Sequence, residues 1–96
     1  MTTCFPKRAP RLAAREFDGE VIIMNPDDSV LFELNETASA IWLAADGRTS
    51  LEEIVARHIV PAFDVDPAEA SRDAAEFAQS LARHSILLLL ERPETQ

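Results

Sequence analysis

The sequence predicts an α+β domain in which strands come first and helices follow. Short β-branched runs separated by turn residues fill the first third of the chain, and segments with a helical period fill most of the rest. The 96 residues are 47% hydrophobic, which suits one compact domain with one core. Two glycines and no tyrosine favour a helix-rich design over an all-β one.

Three strands joined by short turns are predicted at the start of the domain. The first, over residues 11–17, is weakly patterned, and Asp18-Gly19 after it is a hairpin signal. Residues 20–25 form a short β-branched run between turn residues, which favours a strand over a helix. After a turn over residues 26–29, apolar and mixed positions alternate over residues 30–34. The expected topology is an antiparallel meander.

The first two helices are predicted from their caps and apolar stripes. Asn35 is a suitable N-cap for the first helix, and Trp42 lies in its apolar stripe as a core anchor. Thr49 and Glu52 have the spacing of a capping box for the second helix. Pro61 is expected to close that helix, since proline removes a helical hydrogen bond.

The third helix is predicted from residue 66 to about Arg83, because its first residues supply a cap, a proline and an acid. Ile86 to Leu90 then reads as a short apolar strand, whose pairing with another chain would make a homodimer. The chain is expected to divide into a flexible basic segment (1–9), the folded domain (10–91) and a frayed tail (92–96).

The distribution of charge argues against nucleic acid as a partner. The formal net charge is −8. Residues 1–15 carry four basic residues and no acid, so the other 81 residues hold five arginines against 17 acids. An acidic body repels phosphate backbones.

No catalytic or metal site is predicted. Cys4 is the only cysteine, so no internal disulfide can form and a reducing compartment is the natural interpretation. His58 and His84 are far apart and do not complete the three or four ligands of a zinc site. No apolar run approaches a membrane span. We therefore expect a cytoplasmic protein with no cofactor, no membrane partner and no enzymatic activity of its own.

Several motifs resemble the PqqD-like family of small peptide-recognition domains, which serve the maturation of ribosomally made peptides. The most specific is the helix start Leu34-Asn35-Glu36-Thr37-Ala38 followed by the turn Asp46-Gly47-Arg48-Thr49. The resemblance covers roughly residues 10–90, and its other motifs are Pro10-Arg11-Leu12, Ile41-Trp42, Leu51-Glu52-Glu53-Ile54-Val55, Phe63, Asp73-Ala74, Phe77 and Leu81. The chain departs from the family at His84-Ser85, where a glycine is usual.

The resemblance implies a winged-helix-like fold of a three-stranded antiparallel sheet with three helices. It also implies that the leader segment of a precursor peptide adds as a further strand to the third strand, in a groove beside the third helix. The family's partner is typically a radical S-adenosylmethionine enzyme, which carries the iron–sulfur chemistry itself. The implied function is to hold the leader for that enzyme, as in the biosynthesis of cofactor PQQ or related products.

The third strand and the third helix supply the predicted peptide-binding residues, because an unpaired strand edge is a template for an added strand. These residues are Val30, Leu31, Phe32 and Glu33 from the strand and Arg72, Asp73, Glu76, Phe77 and Ser80 from the helix. Core packing is the alternative role for Phe32 and Phe77, and a solvated surface is the alternative for the polar helix residues.

Two other functions remain open at this point. A winged-helix DNA-binding regulator would read DNA with the third helix, but that helix carries two arginines against four acids, the wrong sign for a groove reader. A regulatory subunit that binds only a partner protein has no distinguishing sequence feature. Addition of a short peptide to the strand edge would separate it from a leader-binding domain.

Overall fold

The computed structural model describes residues 4–26 and 29–94. Its elements in chain order are strands β1 (Phe5–Arg8), β2 (Ala13–Phe17), β3 (Glu20–Asn25) and β4 (Val30–Leu34), helix α1 (Glu36–Ala44), helix α2 in the three parts Leu51–Ile54, Val55–Ile59 and Val60–Phe63, helix α3 (Pro67–Arg83) and strand β5 (Leu87–Leu90). The predicted α+β class, with a three-stranded antiparallel sheet and three helices, is confirmed.

Strands β2, β3 and β4 form the predicted antiparallel meander, in that order. The β2–β3 turn has φ of 50° at Asp18 and 84° at Gly19, the left-handed pair that a tight hairpin needs. In the β3–β4 turn, the Ser29 N–H donates to the carbonyl of Asn25 at 2.9 Å. Residues 27–28 of that predicted turn lie outside the described residues. Among the described residues, β4 pairs only with β3 and is therefore an edge strand.

A buried serine that the sequence analysis missed ties this sheet to helix α1. The Ser39 side chain is fully buried. Its Oγ accepts from the Val21 N–H at 2.8 Å and donates to the Leu34 carbonyl at 3.0 Å. Val21 and Leu34 are opposite each other in the β3–β4 ladder. The hydroxyl therefore fixes the end of β4 against α1, whose predicted cap is confirmed by the Ala38 N–H donating to Asn35 Oδ1 at 2.9 Å.

Helix α2 begins and ends differently from the prediction. Its N-cap is Ser50, whose Oγ accepts from the Glu53 N–H at 3.2 Å, so the capping box predicted at Thr49 was wrong by one residue. Thr49 is engaged elsewhere, because its hydroxyl donates to Asp46 Oδ2 at 3.1 Å. The helix also continues through Pro61 and includes a π-helical turn, Val55–Ile59, just before it. That wider turn accommodates a residue without an N–H donor.

Helix α3 begins as predicted, with Asp66 Oδ2 accepting from the Glu69 N–H at 3.0 Å. Its end explains the departure from the family pattern. Ser85 has φ of 61°, and the Ile86 N–H donates to the Leu81 carbonyl at 2.9 Å. This is a Schellman ending in which serine occupies the left-handed position that favours glycine.

Strand β1 and Glu94 lie in the segments for which the sequence predicts a flexible start and a frayed tail, and both are bonded to the rest of the fold. Strand β1 pairs antiparallel with β5, from Phe5 opposite Leu90 to Arg8 opposite Leu87. The Glu94 N–H donates to the carbonyl of Gly47 at 2.7 Å. The packed region therefore begins before residue 10, while residues 1–3 and 95–96 lie outside the described residues. The apolar strand that suggested a homodimer has a partner in its own chain, and the dimer stays a prediction.

The other edge of β1 is also bonded. The Gly47 N–H donates to the Pro6 carbonyl at 2.8 Å, and the Arg8 N–H donates to the Ala45 carbonyl at 3.2 Å. Gly47 is left-handed, with φ of 79°, and a Cβ there would lie 3.3 Å from the Lys7 side chain. The Asp46-Gly47 turn thus does more than end α1, because it also fastens β1.

The hydrophobic core lies between the sheet and the helices. Ile23 of β3, Ile54 of α2 and Ile86 before β5 are fully buried. Trp42 is 7% exposed, which confirms its predicted place in the core. The Arg8 guanidinium lies 5.7 Å from the centroid of the Trp42 ring, on the side where β1 packs.

Candidate functional site

A cleft of about 460 Å³ lies between helix α3 and the start of α1, and it reaches Asn35, the residue that directly follows β4. We call it the β4–α3 groove. Its lining residues come from α3, from the start of α1 and from the segment that joins α2 to α3, and they include Asn35, Thr37, Ile59, Val65, Glu69, Asp73 and Phe77. Among the described residues of β4, none lines the groove, which meets the end of that strand at Asn35.

The four predicted strand residues lie along the open edge of β4. Phe32 is half-buried and packs against the core, whereas Leu31 is 54% exposed and Glu33 is exposed. Their side chains therefore alternate between the two faces of the sheet. Val30 pairs with Asn25 through the backbone. Core packing, the alternative for Phe32, thus describes that side chain, while Leu31 and Glu33 remain accessible.

A ring contact that the sequence did not indicate joins β4 to the residue after α3. The rings of Phe32 and His84 lie 5.1 Å apart at an interplanar angle of 54°. His84 follows the last turn of α3. The contact joins β4 to the C-terminal end of α3, and neither ring lines the groove.

Three of the predicted helix residues lie on one side of α3. Asp73, Phe77 and Ser80 are spaced four and three residues apart, which places them in one row on the helix surface. Asp73 and Phe77 line the groove directly. Phe77 and Ser80 are half-buried. This row continues to His84, eleven residues after Asp73.

The other two predicted helix residues, Arg72 and Glu76, do not lie in this groove. They line a second cleft, of about 630 Å³, on another side of α3. We call it the Cys4 cleft, since Cys4, Leu51 and Val55 contribute to its walls. Successive helical residues are rotated by about 100°, so Arg72 points away from its neighbour Asp73. The predicted helix residues are therefore divided between two sides of α3, and their role in peptide binding stays a prediction.

The thiol in the second cleft is not activated. Burial raises the pKa of Cys4, and the negative charge of Glu52 raises it further. A raised pKa leaves less thiolate, which is the nucleophilic form. The Cys4 side chain packs against the hydrophobic core.

The β4–α3 groove is acidic. Asp66, Glu69 and Asp73 line it, and its lining contains no Lys, Arg or His among the described residues. The Asp66 carboxylate caps the helix by accepting the Glu69 N–H. Neither Glu69 nor Asp73 forms an ion pair within residues 4–26 and 29–94.

The described residues hold neither a metal-binding cluster nor a membrane-spanning helix. In that part of the chain, no three His, Cys, Asp or Glu side chains are grouped so that they could hold a metal ion. None of its helices has the length and apolar character needed to cross a membrane.

The family model described as coenzyme PQQ synthesis protein D (PqqD) matches residues 20–87, more than half of the chain. The protein belongs to the PqqD family. The match includes β3, β4 and all three helices, and every lining residue of the β4–α3 groove lies within it. Strands β1 and β2 precede the matched residues.

Two solved structures are similar to this PqqD-family chain. One, described as TbiB1 in complex with the TbiA(beta) leader peptide, is 27% identical with a TM-score of 0.75, over 84% of this chain and 93% of that one. The other, a lasso peptide synthetase B1 complexed with the leader peptide, is 22% identical with a TM-score of 0.72, over 88% and 98%. The second supports the fold alone. No curated protein sequence gives a significant match.

Proposed function

We propose that this PqqD-family protein binds the leader segment of a ribosomally made precursor peptide and presents it to a maturation enzyme. The observation that carries the proposal is the open edge of β4 beside a groove walled by α3. Family membership supports it, as does the similarity to TbiB1, which was solved in complex with a leader peptide.

The leader would add to β4 as a fourth strand of the sheet. Unpaired N–H and C=O groups of an edge strand can bond to any extended peptide, so the backbone supplies affinity and the adjoining side chains supply specificity. The proposed contacts are the backbone of residues 30–33 with the exposed Leu31 and Glu33 on the strand side. On the helix side they are Asp73, Phe77 and Ser80.

The protein would act by proximity and would not carry the chemistry itself. A bound leader holds the rest of the precursor close to the enzyme, which raises the effective concentration of the segment to be modified. We propose a radical S-adenosylmethionine enzyme as the partner, on the basis of the family resemblance, and the cytoplasm as the compartment. The half-buried free thiol of Cys4 agrees with a reducing environment.

Capture from native cells tests this proposal. The tagged protein would be recovered from lysate, and bound proteins and short peptides would be identified by mass spectrometry. The leader segment of any captured precursor would then be synthesised and titrated against the pure protein by fluorescence polarisation.

We expect a small precursor peptide whose leader alone binds the pure protein, together with an enzyme that modifies it. Recovery of a maturation enzyme other than a radical S-adenosylmethionine enzyme would replace that assignment and leave leader binding intact. A captured partner protein without any peptide, together with no binding by synthetic leaders, would contradict the proposal.

A further inference from the structure

The charged side chains that line the β4–α3 groove are all negative among the described residues, and stabilisation of helix α3 explains only two of the three. Asp66 and Glu69 belong to the start of α3, where carboxylates cap the helix and complement its dipole. Asp73 lies in the second turn, beyond the reach of that effect. It is exposed and has no ion-pair partner among the described residues.

Apolar side chains lie directly beside these carboxylates. Ile59 is buried, Phe77 is half-buried and Val65 is 39% exposed, and all three line the same groove. A peptide in the groove would therefore meet an apolar floor and a negatively charged rim. The lining contains no cation that would neutralise the rim.

We infer that the leader recognised by this protein carries a lysine or arginine that lies against Asp73 and Glu69, two residues along the strand from an apolar side chain. This inference rests on the proposed function and deepens it by naming the chemistry of the leader. In an added strand, residues i and i+2 point to the same side and are about 6.6 Å apart. One residue of such a pair would enter the apolar floor while the other meets the acidic rim.

The net negative charge of the whole molecule also favours a basic leader. The 81 residues after Arg15 hold 17 acids and five arginines. An acidic leader would be repelled both by the groove and by the body around it, and a basic one would be attracted to both. A basic side chain in the leader would then raise both the affinity and the association rate. Both quantities would fall as salt is added.

A selection from a random peptide library tests the inference without knowledge of the natural precursor. The full-length protein would be immobilised, and a displayed library of random 16-residue peptides would be selected on it. The same library would be selected on Asp73→Lys and on Glu76→Lys. Glu76→Lys is the matched control, because it makes the same type of charge change on the same helix but in the Cys4 cleft.

On the wild type and on Glu76→Lys, the selected peptides should contain a lysine or arginine two positions from an apolar residue. On Asp73→Lys this preference should disappear or reverse to aspartate and glutamate. A wild-type-selected peptide should bind Asp73→Lys roughly tenfold more weakly, the size expected for reversal of one exposed charge contact.

Failure of the inference and failure of the proposed function would give different results. Peptides that bind the wild type but show no charge preference, or a preference that Asp73→Lys leaves unchanged, would overturn the inference and leave leader binding standing. Absence of any selected peptide that binds the soluble protein would overturn the inference together with the proposed function.

Discussion

Helix α3 separates two clefts that differ in the way that matters for peptide binding. The larger one, the Cys4 cleft, is bordered by β1, which is bonded along both edges, to β5 and to residues 45–47. The smaller one, the β4–α3 groove, reaches Asn35 at the end of β4, a strand that pairs only with β3 among the described residues. An added strand needs unpaired backbone groups more than it needs volume, so we propose the β4 side of α3 as the peptide site.

Leu31→Pro should have the largest effect, namely loss of leader binding. Proline removes a backbone N–H in the middle of β4 and disrupts the edge to which the peptide would add. Fluorescence polarisation with the captured or selected peptide measures the effect. Leu31→Thr separates the side-chain contribution from the backbone contribution, because threonine keeps the backbone donor and suits a strand.

Circular dichroism must show that Leu31→Pro is folded before its binding is interpreted. If the folded variant bound the peptide as tightly as the wild type, the open edge of β4 would not be the site. Loss of binding by Leu31→Thr as well would assign the affinity to the side chain and not to the backbone.

Substitution of Ser39 and of Ser71 compares the β4 side of the molecule with the Cys4 cleft by the change in the free energy of unfolding. Ser39→Ala should lower the free energy of unfolding by about 1–3 kcal/mol, because the buried Val21 N–H and Leu34 carbonyl both lose their contact with the hydroxyl. Ser71 lines the Cys4 cleft, is half-buried and forms no hydrogen bond through its side chain among the described residues. Ser71→Ala should change stability by less than about 0.5 kcal/mol. Urea unfolding of both variants provides the test, and equal effects would contradict the role given to Ser39.

The elements with strong local signals were predicted correctly from the sequence. Local signals predicted the Asp18-Gly19 turn, the Asn35 cap and the proline after Asp66. Each of these features meets a backbone requirement within a few residues of the chain. The pairing of β1 with β5 was missed because its partners are more than eighty residues apart. The Ser39 bonds were missed for the same reason, since a serine within a helix gives no sign of a distant partner.

Cys4 provides a chemical probe of which cleft the peptide occupies. Its raised pKa predicts slow alkylation by iodoacetamide at neutral pH, and unfolding should accelerate the reaction. Saturation with the leader peptide should leave the alkylation rate of the folded protein within about twofold, because the thiol lies in the other cleft. Mass spectrometry of the labelled protein over time gives both rates. Strong protection by the peptide would move the binding site to the Cys4 cleft.

Asp46→Asn should have the smallest effect, confined to the side of β1. Hydrogen bonds from the Arg48 and Thr49 N–H groups lower the pKa of the Asp46 carboxyl. The ionised carboxylate therefore stabilises the fold above its unfolded pKa of about 4, and this contribution is lost as pH falls through the folded pKa. The difference in melting temperature between wild type and variant should be present at pH 7 and shrink below about pH 4. Leader affinity should be unchanged at pH 7, and a large loss would link the β1 turn to the groove.

The location of the candidate groove was easier to predict than its residues. The edge strand and the third helix follow from the family resemblance, and in the structure a cleft lies along that helix and reaches the end of that strand. Arg72 and Glu76 were predicted together with Phe77, and helical rotation places them in the Cys4 cleft. Ile59 and Val65 were not singled out, because they line the groove from α2 and from the α2–α3 segment, which only the folded chain brings beside Asp73.

The most direct test of the central claim is a titration of the ¹⁵N-labelled protein with the captured or selected peptide, followed by amide chemical shifts in NMR spectra. We predict that the largest changes fall on residues 31–33 of β4 and on Asp73 and Phe77 of α3, with little change at Cys4, Arg72 and Gln79. Largest changes around Cys4, with β4 unaffected, would contradict strand addition at β4.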